Sequence, residues 1–166
     1  MDFTSYAGNP MLGRQILGVE GAVIDDKGRV RIPSRQKEAI GQDFVIAVVY
    51  DGCLGLYPQE VWNRKIAEII ATPASHPARD AHLREVGAFA EQGMKFDPQG
   101  RFVIPQGLRD VTGMNSGEVL LVGCVDHLEI WRKEDFAKYR QNPEEYMTNA
   151  KRQELMEKLW KRLMEK

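Results

Sequence analysis

Five cationic side chains crowd one short stretch of this chain: Lys27, Arg29, Arg31, Arg35 and Lys37. Asp25, Asp26 and Glu38 are the acids among them, which leaves a local charge of +2. The whole chain carries −1 over 166 residues, so any basic site must be a local patch. Clustered guanidinium and ammonium groups suit a polyanion. A DNA duplex offers a line of phosphates, and its major groove admits a two-stranded ribbon. On that view Lys27 and Arg31 meet phosphates, while Arg29 offers two donors to O6 and N7 of a guanine. The competing view is edge protection, since Lys and Arg commonly shield exposed strand edges.

A second copy acts as a control. Asp25-Asp26-Lys27-Gly28-Arg29-Val30-Arg31-Ile32-Pro33 is answered by Asp97-Pro98-Gln99-Gly100-Arg101-Phe102-Val103-Ile104-Pro105, at an offset of 72 residues. Over residues 25–41, six of seventeen positions are identical between the copies, where average composition predicts about one. The shared Asp25, Gly28, Asp97, Gly100 and Arg101 describe architecture. Asp caps a turn, Gly makes it, and Arg answers the Asp. The charge is not shared: Lys27 becomes Gln99, Arg31 becomes Val103 and Arg35 becomes Gly107. That contrast favours an anionic ligand for the first copy.

Other chemistry is weaker. There is no Gly-rich phosphate loop and no dinucleotide fingerprint. His76 and His82 stand six apart, off any common helix face. Cys124-Val125-Asp126-His127 has the residue types of a nucleophile and its base, but neighbouring strand positions point to opposite sides. No zinc-ligand spacing is evident. Cys53 and Cys124 are expected to be reduced, buried thiols of a cytosolic protein. We therefore expect no catalysis, no cofactor and no metal. A composition of 28 % charged and 43 % hydrophobic residues fits a soluble globular chain. Neither a signal peptide nor a membrane span is expected.

The elements that must position the cations follow from periodicity and turn chemistry. We expect strands at 16–24 and 29–32 around the turn 25–28, then a helix at 35–40 with Ser34 as N-cap and Gly41 as its close. Strands at 44–49 and 52–58 and helices at 60–71 and 78–89 follow, the latter two separated by prolines. The second copy repeats the order: strands 90–96 and 101–104, a helix to Thr112, and strands 119–125 and 127–131. Leu54, Leu56, Tyr57 and Glu60 match Leu128, Ile130, Trp131 and Glu134 after a shift of two in register. Helical spacing resumes at Lys133 and again after Pro143. Met156, Leu159 and Leu163 favour a helix lying on its own domain over one that seeks a partner helix. The layout is a flexible leader (1–15), a first repeat (16–62), a helical connector (63–89), a second repeat (90–139) and a C-terminal helical extension (140–166).

The tandem Asp-x-x-x-Arg motifs, Asp25–Arg29 and Asp97–Arg101, with Lys-Gly-Arg-Val-x-Ile-Pro and the later Leu-Val-Gly-x-x-x-x-Leu-Glu-Ile-Trp, resemble the bacterial MraZ proteins. The resemblance covers about residues 16–139. It implies a mainly β, α+β fold of two AbrB-like swapped-hairpin repeats. It further implies a closed, octamer-like ring and a cytoplasmic, nucleoid-associated transcription regulator. Such a regulator grips short G-rich direct repeats in the promoter of the division and cell wall gene cluster. Lys27 and Arg29 match the family's DNA-contacting positions, and Arg35 and Lys37 match basic positions of its following helix. A methyltransferase encoded next door is a further partner the resemblance suggests. Arg35-Gln36-Lys37 departs from the family's basic–aromatic–basic triplet. The alternative function is a ring-forming protein scaffold without specific DNA binding.

Overall fold

A computed structural model describes residues 14–49 and 52–165; most of the expected leader lies outside them. The chain folds as β1 (Val19–Ile24), β2 (Arg29–Arg31), α1 (Ser34–Ile40), β3 (Phe44–Val48), β4 (Leu54–Pro58), α2 (Gln59–Ile70) and α3 (Pro77–Ala88). It continues through β5 (Ala90–Met94), β6 (Arg101–Val103), α4 (Gln106–Thr112), β7 (Gly117–Gly123), β8 (Leu128–Arg132), α5 (Lys133–Gln141) and α6 (Asn149–Met164), with a 3-10 turn at Pro143–Met147 before α6. This is the expected α+β class, and every strand pairing is antiparallel.

The repeats do not form separate sheets. Six strands run in the order β1-β7-β8-β4-β3-β5, and β2 pairs with β6 in a two-stranded ribbon. Exchanging the first copy's strands for the second's reverses this order into itself, so a pseudo-twofold axis crosses the sheet between β4 and β8. The same axis crosses the ribbon. Val30 pairs with Phe102, and Arg29↔Val103 mirrors Arg31↔Arg101. The flanking bonds mirror too: Ile32 N–H donates to Gly100 O at 3.0 Å, and Ile104 N–H donates to Gly28 O at 2.9 Å. At the sheet centre Leu54↔Ile130, Gly55↔Glu129 and Leu56↔Leu128 follow the shifted register read from the sequence.

The core lies beneath the ribbon. Val30 and Phe102 turn inward, and Phe102 meets Phe44 edge-on with ring centroids 5.2 Å apart. Phe96 stacks on Phe44 at 4.6 Å. Ile24, Ile32, Ile40 and Ile104 close the same cluster, all but sealed from solvent. Each buried aliphatic or aromatic side chain of this kind contributes about 1.5–3 kcal/mol. Strand alternation then sends Arg29, Arg31, Arg101 and Val103 to the opposite face.

Local departures from expectation have simple causes. Ser34 is the first helical residue of α1, not its cap. Pro33 occupies the cap position with φ −55°, ψ 145°, and no side chain caps the helix. Gly41 closes it as expected, its N–H donating to Lys37 O. The C-terminal helix lies on its own chain: Met156 and Leu159 are buried, Trp160 packs against Phe89, and Arg162 donates to Val111 O at 2.6 Å.

Candidate nucleic-acid interface

The two Asp-x-x-Gly-Arg turns are near-copies in space. Oδ1 of Asp25 accepts the N–H groups of Lys27 and Arg29, each at 2.9 Å, and Oδ2 accepts Nε–H of Arg29 at 2.7 Å. Asp97 does the same for Gln99 and Arg101, with the Nε contact at 2.9 Å. The backbone N–H of Arg29 leads in holding the Asp25 carboxyl below its ordinary range, and that of Arg101 does so for Asp97. Only Nε of each arginine is spent on the aspartate. The two terminal amino groups of each guanidinium remain for another acceptor.

The ribbon joins what the sequence separates. β2 pairs with β6 of the second repeat, the exchange that the swapped-hairpin resemblance implies, so the cations of the first copy share one ribbon with those of the second. Arg31 sits directly across from Arg101. Like charges in that position destabilise a strand pair. Arg31 and Lys27 are exposed, and neither enters an ion pair among the described residues.

The five predicted site residues divide between the ribbon's ends. Lys27 and Arg29 sit at the first turn. Arg35 and Lys37 line a broad cleft whose opposite wall is Lys95, Phe96 and Asp97, beside the second turn. A Cβ built on Gly100 would lie 3.8 Å from Lys37 Nζ. Symmetry supplies the counterpart. Arg109, the repeat partner of Lys37, crosses to the first turn, where its guanidinium covers Gly28 and its Nε donates to Ile104 O at 2.9 Å. Lys27, Arg29 and Arg109 thus gather at one end, and Arg31, Arg101 and Lys37 at the other. The charge difference between the copies does not become a charged end and a bare end. Arg109 was missed in the sequence; its offset of 72 from Lys37 was the available signal. Gln36 is buried and ties α1 to the segment before β1, its Nε2 donating to Leu17 O at 3.0 Å.

The family model described as MraZ protein matches residues 17–85 and again residues 89–158. The chain belongs to the MraZ family. It is 38 % identical over 115 residues to the transcriptional regulator MraZ of Thermomicrobium roseum, covering 69 % of this chain and 79 % of that one. It is 34 % identical over 118 residues to the transcriptional regulator MraZ of Lachnoclostridium phytofermentans, covering 71 % and 82 %. The same-named protein of Heliobacterium modesticaldum is 34 % identical over 119 residues, covering 71 % and 81 %. The two matched MraZ segments are the two halves related by the pseudo-twofold axis.

Outside the MraZ ribbon, the β7–β8 turn overturns one expectation. Residues 124–127 are a turn rather than strand positions, since β7 ends at Gly123 and β8 begins at Leu128. Asp126 N–H donates to Cys124 O, and Val125 adopts φ 71°. An i→i+2 bond around a positive φ marks the strained form of γ-turn. Cys124 and His127 therefore converge instead of diverging. Burial opposes the charged form of His127, yet bonds to Asp126, Cys124 and Glu129 raise its pKa to about 11. Burial pushes the Cys124 thiol up. Cys53 is buried as expected, while Cys124 is only partly so. No helix among the described residues is long and apolar enough to cross a membrane.

Proposed function

We propose that this chain is a sequence-specific, double-stranded-DNA-binding transcription regulator. Its operator is a set of short direct repeats in the promoter of the division and cell wall gene cluster. One observation carries the reading: the ribbon holds Arg31 against Arg101 at one end of its outer face, with Lys27 and Arg29 at the turn of the other end, in a chain whose net charge is −1. Arg29 and Arg101 spend only Nε on their aspartates and Lys27 and Arg31 enter no ion pair among the described residues, so the outward donors suit an anion, and phosphates along a duplex supply several at once. The ribbon has the two-stranded form that the major groove accommodates. The family's relatives, named transcriptional regulators, support the same conclusion.

A ring of copies, octamer-like in size, completes the proposal. One ribbon is a small contact, and several on one assembly raise the effective affinity steeply without new contacts. Among the described residues the outer strands β1 and β5 each have an unpaired edge, and Val19 and Val23 on β1 are about 60 % exposed. Such edges and apolar side chains suit burial between subunits.

The test is binding of the DNA upstream of the gene, titrated at several salt concentrations beside a scrambled duplex of equal length. Selective binding that falls linearly in log–log form with salt supports the reading. Equal affinity for both duplexes, or no salt-dependent complex, overturns it in favour of the protein scaffold.

A further inference from the structure

The β7–β8 turn gathers a second kind of chemistry, unrelated to the basic ribbon. One ligand-capable atom from each of Cys124, His127 and Glu129 lies within 4.8 Å of the other two. All three residues are partly buried. A neighbour outside the trio orients two of them. Asp126 Oδ1 lies 2.6 Å from His127 Nδ1, which fixes that nitrogen as a donor. Nε2 then faces Glu129 Oε2 at 3.0 Å. Trp131 Nε1–H donates to the other carboxylate oxygen, Oε1, at 3.0 Å. A carboxylate on one imidazole nitrogen with a ligand position on the other is the recurring arrangement behind metal-binding histidines.

The support beneath the trio is equally specific. The His127 ring stacks on Tyr57, centroids 4.7 Å apart and planes 13° from parallel. Tyr57 can lie there because Gly55 has no side chain; a Cβ at Gly55 would meet the Tyr57 ring at 2.6 Å. Gly55 is also the residue paired across the sheet with Glu129. At the shifted register, Cys53 stands opposite His127 and Gly55 opposite Glu129, so the first copy lacks the trio. Architecture is shared between the copies, and this donor set is not.

A thiolate, an imidazole and a carboxylate form a donor set for a borderline-soft ion, whereas magnesium and calcium take oxygen. Zinc bonds of about 2.0–2.3 Å bring neighbouring donors to about 3.5 Å apart. We infer that Cys124, His127 and Glu129 form a divalent transition-metal site, zinc by preference, with Asp126 and Trp131 as orienting residues. Binding releases the thiol proton and the proton shared between His127 Nε2 and Glu129 to solvent, and the ion takes their place. Three protein donors at a half-buried turn leave a fourth position for water.

Cobalt(II) added to the metal-free full-length chain tests this. One ion per chain should give a near-ultraviolet thiolate-to-cobalt band with tetrahedral visible absorption, both abolished by zinc. Cys124→Ser should lose the band while circular dichroism stays unchanged. Asp126→Asn should keep the band and bind about 10- to 100-fold more weakly. In the parent chain, zinc should slow alkylation of Cys124, mapped by peptide mass spectrometry, which needs no variant. Absence of both the band and the zinc protection in the parent chain overturns the site. So does a thiolate band that survives Cys124→Ser, and an unchanged affinity in Asp126→Asn removes its orienting role.

Discussion

Arg109 of the second repeat lies flat over Gly28 of the first, so close that a Cβ on Gly28 would meet its guanidinium carbon at 2.3 Å. Gly28 also has φ +79°. Gly28→Ala therefore incurs about 1–2 kcal/mol of left-handed strain and displaces Arg109 from the first turn. Gly100→Ala meets the same backbone strain at φ +76°, but its nearest neighbour is Ile32 O at 3.4 Å. Both variants should melt earlier by similar amounts, and Gly28→Ala should lose more DNA affinity. Thermal melts and anisotropy titrations on the pair check this.

Arg29 and Lys27 separate specificity from attraction. Arg29→Ala should abolish preference for the operator while leaving assembly mass unchanged by light scattering. Lys27→Ala should weaken operator and scrambled DNA alike and reduce the salt slope by about one. Undiminished operator binding by Arg29→Ala in a gel-shift titration would show the site to be elsewhere.

Arg31 predicts opposite signs in two measurements. Arg31→Val installs the residue that the second copy has at Val103 and removes the like-charge pair with Arg101. The free protein should gain a few tenths of a kcal/mol, within the roughly 0.2–1 kcal/mol range of cross-strand pairs. DNA binding should weaken, with the salt slope again reduced by about one. A denaturation curve and a salt titration on the same preparation decide it.

The duplication, the element order and the shifted register of β4 and β8 were legible in one chain, because repeats and period-2 alternation are local signals. The exchange of strands between repeats came only with the resemblance to a swapped-hairpin family, not from the residue pattern itself. Alternation says which face Val30 and Arg31 occupy and nothing about whether β2 pairs with its neighbour or with β6. That ambiguity carried into the site: Lys37 was grouped with Lys27, though it lies over the opposite turn. The Cys124–His127–Glu129 cluster was hidden for a related reason. Apolar Val125 looked like a strand residue, and only its positive φ folds the segment back.

Acid should act on the two turns together. Asp25 and Asp97 have carboxyls held below their ordinary value, led by the N–H groups of Arg29 and Arg101. A depressed folded-state pKa contributes stability that is fully present above the unfolded value and is lost as pH falls through the folded one. The turns should thus be indifferent to pH from neutrality to about 5 and weaken only in stronger acid. Carboxyl-carbon NMR titration should place both midpoints below 3.8. Asp25→Asn should loosen the first turn at neutral pH, seen as faster amide exchange at Lys27 and Arg29.

Val125 offers a stabilising change. A β-branched residue at φ 71° is strained, and its side chain is 48 % exposed. Val125→Gly should gain about 0.5–1 kcal/mol, the relieved strain exceeding the added freedom of the unfolded chain. A raised melting temperature with an unchanged denaturant slope is the expected readout.

The interleaved ribbon has a consequence for polarity. Two identical half-length chains could build the same frame, but such a dimer would look alike from either end and would suit a palindrome. Fusing the halves let Gln99 stand where Lys27 stands and Val103 where Arg31 stands, so the assembled arm has a head and a tail. Laid along a duplex as proposed above, an arm of that kind would tell one strand's 5′-to-3′ sense from the other's, and tandem copies of one word would become readable where an inverted pair would not.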